Sequence, residues 1–279
     1  MRSVAAPAKI NLGLHVLRRR ADGYHDVETV LLPIGWADRL AAAAADDLTL
    51  TCSDPALPTD DGNLVVRAAR ALAGWAGIEP RAALHLEKRV PYGAGLGSGS
   101  SDAAHALRLL AALWRLDVPE ADLHRLAAGL GSDVPFFLLG GTALAAGRGE
   151  VLTPLRGGDG RPYRLPFALV VAVPPVHVAT AEAYGLVTPG DRDRPDLAAL
   201  VRSNDLVRWR AELVNDFEAP VLVRHPEVAA AKAALLDAGA GYAALSGSGA
   251  AVFGVFERGD EAAAAAETLR AAGCRVWIE

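Results

Sequence analysis

The chain has 279 residues, 52% of them hydrophobic and 22% charged, which is enough apolar material for one large domain or two ordinary ones. Its net charge of -5 argues against a nucleic-acid binder, which needs a basic excess to meet phosphates. The two cysteines, Cys52 and Cys274, give neither a disulfide framework nor a zinc-ligand spacing, and no signal-like apolar stretch follows Met1, so a cytoplasmic protein is expected.

From Ala8 to Val16 the residues alternate: Ala8, Ile10, Leu12, Leu14 and Val16 face one way, Lys9, Asn11, Gly13 and His15 the other. That pattern predicts a half-buried strand with Lys9 and Asn11 on its polar face. Asp22-Gly23 predicts a hairpin turn, and residues 24–34 the returning strand. Residues 48–52 read as a further strand. Asn63 follows Asp60-Asp61-Gly62 as a capping side chain, and Leu64, Ala68, Leu72 and Trp75 then recur at helical spacing. Residues 82–88 alternate as a strand.

Next come Pro91, Tyr92, Gly93, Ala94, Gly95, Leu96, Gly97, Ser98, Gly99, Ser100 and Ser101, with a helical run over residues 102–114 behind them. Glycine lets backbone approach a ligand and take positive φ, and a helix N-terminus after a strand gathers N–H groups at one point. The serines add hydroxyl donors. This loop is a phosphate cradle by composition. It is neither a P-loop, since no lysine follows, nor a dinucleotide fingerprint, since the third glycine of that pattern is missing.

A helix from Pro119 to about Gly131 and the turn-like segment 130–135 follow. Within that segment Ser132 or Asp133, beside Pro135, reads equally as a helix cap and as a group with chemistry to do. The glycine-rich segment 156–162 suggests a linker, dividing the chain into residues 1–156 and 157–279. Beyond it, strands are expected at 167–173, 242–245, 250–256 and 274–278, and helices at 226–238 and 260–272, with the glycine turn Ser246-Gly247-Ser248-Gly249 between two of the strands. The class is α/β or α+β. His15 and the other histidines lack metal-ligand spacing and are expected to be structural or on the surface.

Phosphoryl transfer needs a group to receive the hydroxyl proton and a cation to orient it, and an Asp–Lys pair supplies both. Three segments then fall in the order of one known family. The loop 91–101 resembles the phosphate-binding motif of the galactokinase, homoserine kinase, mevalonate kinase and phosphomevalonate kinase superfamily; Ala6-Pro-Ala-Lys-Ile-Asn-Leu12 resembles its N-terminal motif, and Leu245-Ser-Gly-Ser-Gly-Ala250 its C-terminal glycine motif. Ser98 stands where that loop often has glycine. Together with Arg20-Ala-Asp-Gly-Tyr-His25 and Leu130-Gly-Ser-Asp-Val-Pro-Phe-Phe137, the closer resemblance is to the branch that phosphorylates the 2-hydroxyl of 4-diphosphocytidyl-2-C-methyl-D-erythritol in the non-mevalonate isoprenoid pathway.

The resemblance implies a two-domain small-molecule kinase fold, with an N-terminal domain carrying ATP and the chemistry and a C-terminal α+β domain closing the substrate cleft. It implies ATP with Mg²⁺ as cofactor, Lys9 and Asp133 as the catalytic pair, residues 91–101 on the phosphates and Asn63 near the adenine. Tyr24 and His25 would hold the cytosine, with Tyr184 as an aromatic on its other face; Asn11 would touch the methylerythritol, and Gly247 and Ser248 would also meet the substrate. The expected partner is a small molecule with a cytidine diphosphate group, and neither nucleic acid nor membrane. Another kinase of the superfamily, or a nucleotide-binding module without catalysis, would lack a use for Tyr24-His25 or for Lys9 with Asp133.

Overall fold

The computed structural model describes residues 1–190 and 194–279. In chain order its elements are β1 (Arg2–Arg19), β2 (His25–Ala43), β3 (Leu48–Cys52), α1 (Leu64–Ala76), β4 (Ala82–Glu87), α2 (Ser98–Trp114), α3 (Glu120–Leu130), α4 (Val134–Leu139), β5 (Ala143–Ala146), β6 (Val151–Pro154) and β7 (Ala168–Val173). Then follow α5 (Thr180–Leu186), α6 (Leu197–Ser203), α7 (Leu206–Glu212), α8 (Glu218–Arg224), α9 (Pro226–Asp237), β8 (Tyr242–Leu245), β9 (Val252–Phe256), α10 (Gly259–Ala271) and β10 (Arg275–Ile278). Among the described residues no helix is long and apolar enough to cross a membrane.

The chain divides into two compact units. One comprises residues 1–8, 35–92 and 97–140; the other comprises residues 9–34, 93–96 and 141–279. In the first, β4 runs parallel to β3 and antiparallel to the C-terminal end of β2, with Leu48 opposite Ala82 and Arg39 opposite Glu87. The parallel pair requires a crossover, and α1 supplies it. Asn63 starts that helix, its side chain accepting from Val65 N at 2.9 Å. The apolar stripe of α1 buries Val65, Val66 and Leu72, and α2 packs on α1, α3 and α4, burying Leu107 and Leu110.

In the second unit the N-terminal part of β2 pairs with β5, and β5 with β6, all antiparallel. A separate antiparallel sheet runs β10-β7-β9-β8. Its face is covered by α9 and α10, and Val170, Leu245 and Phe256 meet Leu235 and Leu269 in a core that also takes in Leu14, Val16, Val27 and Phe217. The segment 156–162 is a tight turn: Gly157 N bonds Arg161 O at 2.8 Å and Gly160 N bonds Gly157 O at 3.0 Å.

The strand through residues 8–16 departs from the alternation in one respect. Lys9, Asn11 and His15 are buried like their apolar neighbours, so the segment is covered on both faces. His15 is therefore a buried, structural histidine: among the described residues its Nδ1 has no hydrogen-bond partner, and the Glu28 carboxylate stands 3.9 Å from it. Burial, with the nearby Arg194 charge and against that of Asp216, lowers its pKa from 6.5 to about 4.

The folded state thus holds His15 neutral where the unfolded chain binds a proton. The stability this contributes is present above pH 6.5 and is lost as pH falls toward 4. Denaturant midpoints measured across that window should fall, and His15→Gln should remove part of the slope; an unchanged slope would show that His15 does not titrate differently on folding.

Candidate active site

The site grows from β1 and the loop 91–101. Gly93, Gly95 and Gly97 take φ of 68°, 78° and 67°, the left-handed region that other residues rarely adopt. Gly97 is the N-cap of α2, which begins at Ser98, four residues earlier than the helical periodicity predicts, so Ser98, Gly99, Ser100 and Ser101 form its first turn. The first amides of a helix have no intrahelical acceptor and carry the positive end of its dipole, which suits an anion. Ser98 and Ser101 are buried, and the Ser101 hydroxyl lies 3.4 Å from His105 Nδ1. Tyr92 is exposed.

Residues 93–96 are sewn to their own unit at several points. Lys9 N bonds Leu96 O at 3.0 Å and Ala251 N bonds Ala94 O at 3.0 Å. The Lys9 ammonium donates to Gly95 O at 2.9 Å and to Asn11 Oδ1 at 2.6 Å. The Asn11 amide passes the chain on, donating to Thr29 Oγ1 at 3.0 Å, and Thr29 donates to Gly13 O at 2.6 Å. Ser246 Oγ donates to Gly95 O at 3.0 Å and accepts from Asn11 N at 3.3 Å.

Lys9, Asn11, Gly95 and the glycine turn 246–249 are therefore neighbours. A Cβ on Gly95 would stand 2.1 Å from Ser246 O, and one on Gly247 3.2 Å from Gly95 O and 3.3 Å from Asn11 Oδ1. Ser248 Oγ lies 3.2 Å from Thr180 Oγ1.

Asn215, which the sequence patterns do not single out, holds that turn. It is buried and donates to Leu245 O and Gly247 O, each at 2.9 Å, while its own Oδ1 accepts from Phe217 N at 3.0 Å. No motif or period marks it, because its partners are backbone carbonyls some 30 positions away in sequence.

A second cluster of the same unit holds the aromatic residues. His25 and Tyr184 stack with ring centroids 4.7 Å apart and planes 17° from parallel, and Tyr184 meets Phe217 edge-on at 4.8 Å. Tyr24 is 55% exposed and the Arg148 guanidinium lies 5.1 Å from its ring centroid.

In the other unit, Asp133 occupies the N-cap position of α4, but its side chain makes no capping hydrogen bond. Asn63 is spent on its cap and on a bond to Pro58 O at 2.8 Å.

Residues 63–141 match the family described as GHMP kinases N terminal domain, and residues 197–273 match GHMP kinases C terminal. The chain is 56% identical over 274 residues to the 4-diphosphocytidyl-2-C-methyl-D-erythritol kinase of Salinibacter ruber, covering 98% of this chain and 96% of that one. It is 48% identical to the kinase of the same name from Chlorobium phaeobacteroides, covering 96% and 93%. A crystal structure of 4-(cytidine 5'-diphospho)-2C-methyl-D-erythritol kinase superimposes with a TM-score of 0.82 at 39% identity, covering 99% of this chain and 98% of that one. Homoserine kinase from Cytophaga hutchinsonii shares the fold, with a TM-score of 0.71 at 19% identity over 100% and 95% of the two chains.

The close approach at Gly95 generates a pair of expectations. Gly95→Ala should destabilise by about 2 kcal/mol or more, since positive φ alone costs a non-glycine residue about 1–3 kcal/mol, and it should weaken nucleotide binding. Gly74→Ala, in α1 with nothing within 4 Å of an added Cβ, should stabilise by about 1 kcal/mol. Equal unfolding midpoints for the two variants would contradict the contact at Gly95.

Proposed function

The chain belongs to the GHMP kinases and, among them, to the 4-diphosphocytidyl-2-C-methyl-D-erythritol kinases, and from that premise we propose how its residues carry out the ATP-dependent phosphorylation of the acceptor's 2-hydroxyl. The observation that carries the reading is the buried Lys9 ammonium bonded to the backbone of the glycine loop, because it joins a fixed cation to a segment built for phosphate.

In this reading residues 91–101 hold the triphosphate through backbone N–H groups and the start of α2. The acceptor oxygen attacks the γ-phosphorus as the bond to the β–γ bridging oxygen breaks, ADP leaves, and the hydroxyl proton passes to the Asp133 carboxylate. Asp133 orients the hydroxyl first and takes its proton late in the transfer, as a loose phosphoryl-transfer transition state allows. Lys9 offsets the charge that builds on the transferring group.

Asn11, Gly247 and Ser248 are assigned to the methylerythritol part of the acceptor, supported by the contacts that gather Asn11 and the glycine turn beside Lys9. Tyr24 offers the exposed ring on which cytosine can stack, His25 offers ring nitrogens for its edge, and Tyr184, assigned to the other face of the cytosine, stacks its ring on His25 in this structure. Asn63 is assigned to the neighbourhood of the adenine by its place in the motif order, alongside its cap. Residues 1–156 carry the nucleotide loop and the catalytic pair in this reading, and residues 157–279 contribute Tyr184, Gly247 and Ser248.

Magnesium is proposed as the companion of ATP. Among the described residues no group of three or more His, Cys, Asp or Glu side chains could hold a metal ion, so a protein cage does not fit. Mg²⁺ usually keeps waters and takes much of its coordination from nucleotide phosphates, which needs no such cage. The two unpaired cysteines support a reducing, cytoplasmic setting.

Two measurements test the reading. Purified protein with ATP and Mg²⁺ should phosphorylate the cytidine diphosphate acceptor once and leave homoserine and mevalonate untouched; turnover of either of those two in its place would sink the assignment. Asp133→Asn should lower kcat by about 10²–10⁴-fold with ATP affinity retained, whereas a wild-type rate would reduce Asp133 to a helix start.

A further inference from the structure

Three buried charged groups lie outside the machinery described so far. Lys88, Asp38 and Asp102 are each at most 5% exposed at the side chain. Lys88 Nζ donates to Asp38 Oδ2 and, at 2.8 Å, to Asp102 Oδ2. Asp38 also accepts the backbone N–H of Arg89 at 2.6 Å and of Val90 at 2.9 Å through Oδ1.

Their places in the chain are telling. Lys88, Arg89 and Val90 lead directly into the loop 91–101, and Asp102 is the first residue after it, within the first turns of α2. Asp38 stands on β2 and takes part at once in the entry backbone and, through Lys88, in the exit. The Trp36 indole adds a third tie, donating to Arg89 O at 3.1 Å. The two ends of an eleven-residue loop are thus fastened to one strand of the same unit.

Stability alone is a poor reason for such a cluster. Two carboxylates share one ammonium, and taking charges out of water costs several kcal/mol per ion, so buried ion pairs replaced by apolar groups often lose nothing. Burial pushes the Asp102 carboxyl up to about 7, against the pull of Lys88 and with Asp38 adding to the rise. Its Oδ1 has no hydrogen-bond partner among the described residues. What the cluster does provide is a directional fix on both ends of a glycine-rich segment whose own backbone is permissive.

We propose that Asp38, Lys88 and Asp102 are positioning residues of the kinase reaction: by holding the entry and exit of the loop 91–101 at a set separation, they keep its amide groups aimed at the nucleotide phosphates without touching the nucleotide. The proposal rests on the reading of that loop as the ATP phosphate site.

The test compares wild type, Asp102→Asn and the charge-free triple variant Asp38→Asn/Lys88→Met/Asp102→Asn by calorimetric ADP and ATP binding, by the KM of each substrate and by thermal unfolding. The triple variant should bind ADP and ATP more weakly and show a KM for ATP raised about 10- to 100-fold, the scale of a group misplaced by about 1 Å, with the KM of the cytidine acceptor unchanged. Asp102→Asn keeps an acceptor for Lys88 and should stay close to wild type. Should the triple variant fail to fold, Lys88→Gln decides: amides 93–101 should exchange hydrogen faster than in wild type, with exchange elsewhere unaltered. Wild-type nucleotide affinity in the folded triple variant, or unaltered loop exchange in Lys88→Gln, would overturn the proposal and reduce the triad to scaffold. Failure of the wild-type protein itself to bind ADP or ATP would instead overturn the reading of the loop, and this inference with it.

Discussion

A lysine ammonium buried in a strand and bonded to a loop carbonyl is the constraint from which the second unit's functional geometry follows. Lys9 is 3% exposed. A charge taken out of water must find strong acceptors close by, and hydrogen bonds to an ionised donor are about twice as strong as neutral ones. Gly95 O and Asn11 Oδ1 fill that need, and each is then fixed in turn. Asn11 turns its oxygen to Lys9 while its amide nitrogen donates to Thr29, whose hydroxyl proton goes to Gly13 O, and that relay holds the amide in this orientation.

The glycines follow from the same constraint. Gly95 O also accepts from Ser246, so the loop and the turn 246–249 lie backbone to backbone, with no room for a Cβ at Gly95. Asn215 then holds the turn from behind through two of its carbonyls. In the other unit the second half of the loop becomes the first turn of α2, and Lys88 before the loop and Asp102 after it are joined in one ion triad with Asp38 of β2. Catalysis by positioning and electrostatics asks for this economy: donors held in place before the substrate arrives, with little left to reorganise.

Much of this is legible in the sequence, and the rest is hidden for identifiable reasons. The alternation of residues 8–16, the Asn63 cap, the helical stripe of α1 and the glycine loop are local signals, and each corresponds to an element of the structure. The loop's right to be a phosphate site is read from its composition and its place between a strand and a helix. Local patterns cannot say what covers a strand's polar face, so Lys9, Asn11 and His15 read as half-exposed although tertiary packing buries them. The start of α2 is hidden because glycine and serine are weak helix formers, yet the structure winds them into its first turn. β5 and β6 are short and leave little period to detect. Asn215 and the Lys88 triad work through partners distant in sequence, as with the 50 positions between Asp38 and Lys88.

Single-turnover kinetics of Lys9→Met, a side chain of similar length without the charge, test most directly whether the Lys9 ammonium acts as a fixed charge on the transferring phosphoryl group. Phosphoryl transfer should slow by about 10²–10³-fold, the scale of losing one preorganised stabilising group, in a protein that still folds and still binds the cytidine acceptor. Transfer at the wild-type rate in that variant would contradict that role.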